Sequence, residues 1–246
     1  MNIVKGGRSL YGQAIGILVL ETTYPAIPGN VANASTYKFP VRYKVLEGIP
    51  SDWWCDAEGA SERRQEIFIE KARQIEKEGV RAITTGCGFF AKYQQATSDA
   101  LTVPVFTSPL LLVPMVSQMI GKANRVGIIT AGENHLKGPF LENVGIDPTI
   151  PIAVDGMADK EEFTQTIVFE IRPLMDVDIV EAEVVDVARR LVAKHPDIAA
   201  LVFECSDLPP FASAVQAAVN LPIFDFISLI NIVYTLEVKQ PYAGFM

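Results

Sequence analysis

Histidine and tryptophan are scarce in this chain, at two residues each, and cysteine stands at three. His135 falls early in a segment read as helical, and His195 sits beside Pro196 at a helix end. Neither has the spacing of a metal ligand and no Cys-x-x-Cys occurs, which argues against a zinc site. Gly127 and Gly132 are not part of a G-x-G-x-x-G, so a dinucleotide loop is not indicated. Long uninterrupted apolar runs are missing too. The most apolar stretch, 101–120, is divided by Pro104, Pro109 and Pro114, which suits strand, loop and helix start rather than a membrane span. Near the N-terminus Lys5 and Arg8 precede a short apolar run, but that run contains Gly16 and passes straight into Glu21 with no cleavage site. It reads as a first core strand, and the three cysteines then read as reduced thiols in a cytoplasmic setting. Positive charge is in deficit: 21 basic against 29 acidic residues leave a net charge of −8, which argues against nucleic acid or an anionic membrane as partner.

What remains is an ordinary globular composition, 49% hydrophobic and 20% charged, far from that of a disordered chain. The 246 residues suffice for one large domain or two lobes of about 120 each. Strand and helix patterns alternate throughout, which predicts an α/β fold with mostly parallel strands. Residues 14–20 form a continuous apolar run, as a strand covered on both faces requires. From Glu21 to Gly48 the chain is rich in proline and glycine and reads as a long, functional loop, with a short strand over 41–46. Ile67, Phe68, Ala72 and Ile75 give one apolar face to a helix over 61–78, with Ser61 as cap and Gly79 as stop. Further helices are expected over 110–120, 177–194 and 227–238, the last packing back on the first lobe, with a strand over 125–130.

Two cysteines sit in matching surroundings. Ala82-Ile83-Thr84-Thr85-Gly86 leads into Cys87, and Ala200-Leu201-Val202-Phe203-Glu204 leads into Cys205. The thiols are 118 positions apart, and so are Val103-Pro104-Val105-Phe106 and Leu221-Pro222-Ile223-Phe224. Each cysteine therefore ends a predicted strand, precedes a helix and is followed by a second short strand at the same offset. Ile15-Gly16-Ile17-Leu18 and Val126-Gly127-Ile128-Ile129 repeat at 111 instead, which marks a loop insertion between otherwise similar halves. The expected architecture is two pseudo-symmetric α/β lobes, each a mostly parallel sheet flanked by helices, with the active site in the cleft between them. Residues 1–108 plus 225–246 are expected to form the first lobe and 109–224 the second. A lone strand-end cysteine is more often buried and inert. The repetition is what favours a functional pair.

Thiols facing each other across a cleft can serve opposite faces of one small molecule. Removing a proton beside a carboxylate needs a positioned base and a stabilised carbanion, and inversion needs a second group on the far face. A thiol, with a reference pKa of about 8.5, can fill either role. Both cysteines are expected at helix N-termini, where the dipole favours a thiolate and the N–H groups of Gly88 and Ser206 can hold a carboxylate. Thr85, Ser108, Thr130 and Ser206 lie at strand ends as hydrogen-bond donors on the same rim, although such hydroxyls also cap helices. Arg42 and Tyr43 can reach a substrate from the long loop, or belong to a strand with Val41, Tyr43 and Val45 inward. Asp207 can orient the Cys205 thiol or cap the next helix, with capping favoured. Cys55, after Trp53-Trp54, has no counterpart in the repeat and reads as structural or surface.

Residues 84–90, Thr-Thr-Gly-Cys-Gly-Phe-Phe, and 203–211, Phe-Glu-Cys-Ser-Asp-Leu-Pro-Pro-Phe, resemble the paired cysteine motifs of the aspartate/glutamate/hydantoin racemase superfamily. Residues 21–29 and 39–43 resemble the entry segment of one of its branches, and the resemblance runs from about residue 14 to residue 235. It implies two α/β lobes, a site in the cleft, no cofactor, Cys87 and Cys205 as the two acid/base groups, and Thr22 among the substrate contacts. Amino-acid racemases of this superfamily carry Asn-Thr after the first cysteine and Thr after the second. Gly88-Phe89 and Ser206-Asp207 stand here instead, so the grip on the substrate is altered. Cys87-Gly88-Phe89 and Glu204-Cys205 with Leu208-Pro209-Pro210 also resemble dimethylsulfoniopropionate lyases, in which a cysteine removes an α-proton and a thioether is expelled. The expected function is a cofactor-independent racemase or epimerase of a small carboxylate such as aspartate, glutamate or a hydantoin-like compound. A lyase of the dimethylsulfoniopropionate type is the alternative, and a non-catalytic small-ligand binding protein is the alternative from another class. The expected partner is a small-molecule carboxylate, and a homo-oligomer stays open.

Overall fold

The computed structural model describes residues 3–53 and 61–246; Cys55 lies outside them. Strands β1 (Ile15–Val19), β2 (Val41–Val45), β3 (Ala82–Thr85) and β4 (Val105–Phe106) form one sheet in the order β2-β1-β3-β4. Strands β5 (Arg125–Thr130), β6 (Ile152–Gly156), β7 (Ile198–Phe203) and β8 (Ile223–Phe224) form a second in the order β6-β5-β7-β8. Every pairing is parallel. The helices are α1 (Ser61–Glu78), α2 (Gln94–Ala100), α3 (Val113–Ile120), α4 (Pro139–Glu142), α5 (Glu161–Phe163), α6 (Val177–Lys194), α7 (Ala212–Val219) and α8 (Phe226–Glu237).

The register makes the repeat physical. Gly16 lies opposite Ile83, and Gly127 lies opposite Leu201, so each cysteine follows an equivalent sheet position by four residues. Helix α1 turns Phe68, Ala72 and Ile75 into the core, and Gly79 ends it at a φ of +100° that a side chain would resist. At Gly16 the same helix comes close to the sheet: a Cβ there would stand 2.9 Å from Ile75 Cδ1. Asp176 caps α6 by accepting from the Ile179 N–H at 3.2 Å, and Val180, Val184, Val187 and Leu191 form its buried face.

The helix expected over 110–120 is shorter than its apolar pattern. Pro109–Leu112 is a 3₁₀ turn capped by Ser108, and α3 begins only at Val113. Pro114 has no N–H to give to Leu110, so it is accommodated in the first turn of α3 rather than in a helix interior. Helix α8 packs on β3, with Tyr234 stacked on Phe39 at 3.5 Å between ring centroids and Glu237 paired with Arg81 at 3.3 Å. After α5 the chain makes a π-helical turn over Thr164–Val168, and Glu170 beyond it adopts a φ of +49°. None of the helices among the described residues is long and apolar enough to cross a membrane.

Candidate active site

Parallel strands all deliver their following turns to the same edge of a sheet, and here two such edges meet. The turns after β1, β3, β5 and β7 line one cavity with about 410 Å³ of atom-free space, counted to its open mouth. Leu20, Thr22 and Tyr24 come from the first turn, Gly86 to Phe89 from the second, Ala131 from the third and Glu204 to Asp207 from the fourth. Ser51 adds to one wall, and Ile167 and Val168 of the π turn add to another. The Ser206 hydroxyl joins the two sheets by donating to the Gly86 carbonyl at 2.7 Å. Glu170 joins them again, accepting from the N–H and hydroxyl of Thr23 at 2.7 and 2.6 Å.

Both repeat cysteines line this cavity as free thiols. The Cys205 thiol donates to Asp207 Oδ2 at 3.5 Å. Asp207 is itself held: Asn30 Nδ2 donates to its Oδ1 at 2.5 Å, and the Tyr24 hydroxyl bonds to the same carboxylate. Its side chain therefore orients the thiol; the favoured capping role fails, because the following 3₁₀ turn over Pro209–Phe211 has Leu208 at its cap position and no side-chain cap. Burial raises Asp207 from its ordinary value, against the pull of those donors.

The expected helix-terminal thiolates are not what this environment favours. Burial, and then the nearby Glu204 carboxyl, push the Cys87 thiol up; the Phe89 N–H opposes the rise. Burial, then Asp207, then Glu204 push Cys205 well up. The physical reason is local: Cys87 opens a 3₁₀ turn, Gly88–Tyr93, rather than an α-helix, and the cavity is lined by two acids but by no lysine, arginine or histidine among the described residues. Cys205 and Asp207, in contact and each raised, titrate as a coupled pair rather than as separate groups.

Glu204 is fully buried. Its Oε2 accepts from the Thr130 hydroxyl at 2.7 Å, while Oε1 has no partner. Burial raises this acid to about 8, with the Asp207 charge adding to the rise. Gly88, across the cleft, is pressed against it, and a Cβ on Gly88 would collide with the Glu204 carbonyl oxygen and Oε1. Gly88 therefore serves the meeting of the two turns.

Of the residues expected at the site, Cys87, Cys205, Thr22, Gly88 and Ser206 line the cavity. The others do not. Tyr43 lies in β2 and donates to the Val31 carbonyl at 2.9 Å, and Arg42 beside it pairs with Glu78. The Thr85 hydroxyl donates to the Thr107 carbonyl at 2.7 Å and takes the Cys87 N–H at 3.3 Å, so it shapes the cysteine turn from behind. Ser108 caps the turn before α3, and Thr130 reaches the cavity only through Glu204. Tyr24, Asn30 and the π turn were not singled out from sequence. Tyr24 alone had a signal, inside the Glu21–Pro25 segment.

No family model matches the chain. It is 32% identical over 220 residues to a dimethylsulfoniopropionate lyase from Durusdinium sp. clade D, covering 87% of this chain and 71% of that one. To dimethylsulfoniopropionate lyase 7 from Emiliania huxleyi it is 30% identical over 240 residues, covering 94% and 69%. Among solved structures, an arylmalonate decarboxylase variant with associated sulfate superposes with a TM-score of 0.59 at 16% identity, over 92% of this chain and 94% of that one. A glutamate racemase from Bacillus anthracis gives 0.58 at 15% identity, over 91% and 82%. The two solved structures share the fold. On its likeness to the two sequence relatives, this chain belongs to the dimethylsulfoniopropionate lyase family.

Proposed function

We propose that the protein is a lyase that eliminates a thioether from a sulfonium propionate such as dimethylsulfoniopropionate, with Cys205 as the base. The observation that carries this reading is the Cys205–Asp207 pair at 3.5 Å, in a cavity lined, among the described residues, by two acids and no basic side chain. A thiol beside a carboxylate that is itself fixed by further donors has the arrangement of an activated base. The missing charge is positive, and the substrate brings it. A sulfonium entering nearer the Cys205 sulfur than Asp207 offsets the negative charge as it moves onto sulfur, which eases the Cys205 proton onto Asp207. The thiolate then takes the α-proton. The C–H electron pair becomes the new carbon–carbon double bond, the carbon–sulfur pair leaves with sulfur, and a neutral thioether and an acrylate result. The acquired proton passes to solvent from the Cys205–Asp207 pair. The N–H groups of Gly88 and Ser206 suit the substrate carboxylate. The reaction asks for no group beyond the chain's own proton carriers.

A racemase or epimerase of a small carboxylate is the second reading, favoured by the fact that both thiols line the same cavity from equivalent turns. The two differ in how they use Cys87. An elimination needs one base, whereas an inversion needs one on each face. Dimethyl sulfide release by gas chromatography tests the choice. Cys205→Ser is expected to lose about 10³-fold in kcat, and Cys87→Ser about tenfold or less. Equal loss in both variants, with α-deuterium exchange and inversion of an amino acid by the wild type in D₂O, would replace the lyase by the racemase.

A further inference from the structure

Glu204 has no part in the reaction as proposed, yet it is the more deeply buried of the two cavity acids, at 0% exposure against 7% for Asp207. Its two oxygens are treated differently. Oε2 is fixed by the Thr130 hydroxyl of β5, whereas Oε1 meets no hydrogen-bonding atom. Buried carboxyl oxygens left without a partner are costly and call for an explanation. The free oxygen lies against Gly88 of the Cys87 turn, where a side chain is missing, since a Cβ there would collide with it. It therefore stands between the two cysteine turns, where both thiols sense its charge.

We infer that Glu204, held as the neutral acid, donates its Oε1 proton in a hydrogen bond to the substrate carboxylate and to the enediolate charge that gathers there as the α-proton leaves. The inference rests on the proposed elimination. The Glu204 O–H bond is never broken: the acid donates throughout, and the electron pair released at carbon returns to form the double bond. A neutral carboxylic acid aimed at a developing oxyanion in a water-poor site is a strong form of transition-state stabilisation. The groups around Glu204 keep it neutral. Cys205 and Asp207 flank it on its own turn, Cys87 faces it from the turn after β3, Tyr24 approaches Asp207 from the loop after β1, and Thr130 is uncharged. Among the described residues, no cavity-lining side chain is a cation that could draw off the proton. Burial accordingly raises the acid to about 8.

Acrylate, the carboxylate that the elimination leaves, is the probe. Its dissociation constant is measured by calorimetry on wild type and Glu204→Gln between about pH 6.5 and about pH 9.5. The wild-type constant is expected to rise up to tenfold per pH unit above about 8, as the donor becomes a repelling carboxylate. Glutamine keeps an N–H donor at every pH, so its constant stays flat over the same window. Flat wild-type binding, a parallel rise in Glu204→Gln, or no acrylate binding at any pH each overturns the assignment. Dimethyl sulfide release by the wild type is scored separately. Acrylate binding with the expected profile but no sulfide release sinks the lyase reading and leaves the donor role standing. Sulfide release with flat acrylate binding sinks the donor role alone. Should Glu204→Gln not fold, infrared spectra of the wild type decide: a protonated carboxyl band at neutral pH that shifts on adding acrylate supports the donor, and its absence refutes it.

Discussion

Replacing Glu204 by glutamine should invert its effect on stability between acid and alkaline solution. In the folded protein the acid is raised from 4.5 to about 8. Because the folded value lies above the unfolded one, the contribution to stability is complete below about pH 4.5 and is lost as pH rises towards 8. Over that window the unfolded chain has given up the proton while the folded chain still holds it. At about 1.4 kcal/mol per pH unit, the loss reaches on the order of 5 kcal/mol by pH 8. Glutamine does not titrate, so the variant escapes that loss. It carries a fixed penalty instead, because an amide N–H₂ placed where Oε1 now lies brings two donors without an acceptor where the neutral acid has one, at about 1–3 kcal/mol. Near pH 5, where the wild type has already lost about 0.8 kcal/mol of that contribution, the variant is therefore expected to be less stable than wild type by up to about 2 kcal/mol, and near pH 9 more stable by about 2–4 kcal/mol. Urea unfolding followed by far-UV circular dichroism at both pH values measures the difference, in which the titrations common to both proteins cancel. A difference that stays constant from pH 5 to pH 9 would refute the buried neutral acid.

Other outcomes follow from the same contacts. Gly88→Ala should drive the two turns apart, because its Cβ meets Glu204; a stability loss of about 1–3 kcal/mol and a fall in kcat are expected, and wild-type melting and turnover would contradict the packing argument. Asn30→Ala removes the 2.5 Å donor to Asp207, raises that acid further and should lower kcat more than it changes KM, with the rising limb of the pH–rate profile moved to higher pH; an unmoved profile would show that Asp207 does not set the base. Iodoacetamide should react slowly at pH 7 and about tenfold faster per pH unit towards pH 9, since both thiols are raised. Mass spectrometry should find Cys87 labelled before Cys205, which is only 8% exposed; the reverse order would mean that the cavity opens differently in solution.

Short-range features were legible before any coordinates. Residues 61–78 and 177–194 form helices at those positions because their apolar spacing and end residues are local properties, and β5 likewise spans Arg125–Thr130. The equal offset of the cysteines and of the short strands after them made the two halves recognisable, and the matching strand orders are its consequence. Between 131 and 176 the sequence offered only a helix at His135, and that residue lies in a turn, since α4 begins at Pro139. β6 is a half-buried edge strand, and the π turn has no periodicity of its own, since its form follows from Glu162 binding the Asp176 N–H and Glu170 binding Thr23.

By itself, then, the amino-acid order determined the elements, the doubling and the identity of the paired thiols, because these rest on spacing along one chain. Only the tertiary structure decided which neighbours those thiols have. Asn30 reaches Asp207 across 177 residues, and Ser206 reaches Gly86 across 120. The charge state of a thiol depends on burial and on the fields of such distant groups rather than on the residue before or after it. That is why Cys87 and Cys205 could be picked out from sequence as a pair, while their elevated protonation, the choice of Asp207 as thiol partner over helix cap, and the free oxygen of Glu204 emerged only once the two sheets were brought edge to edge.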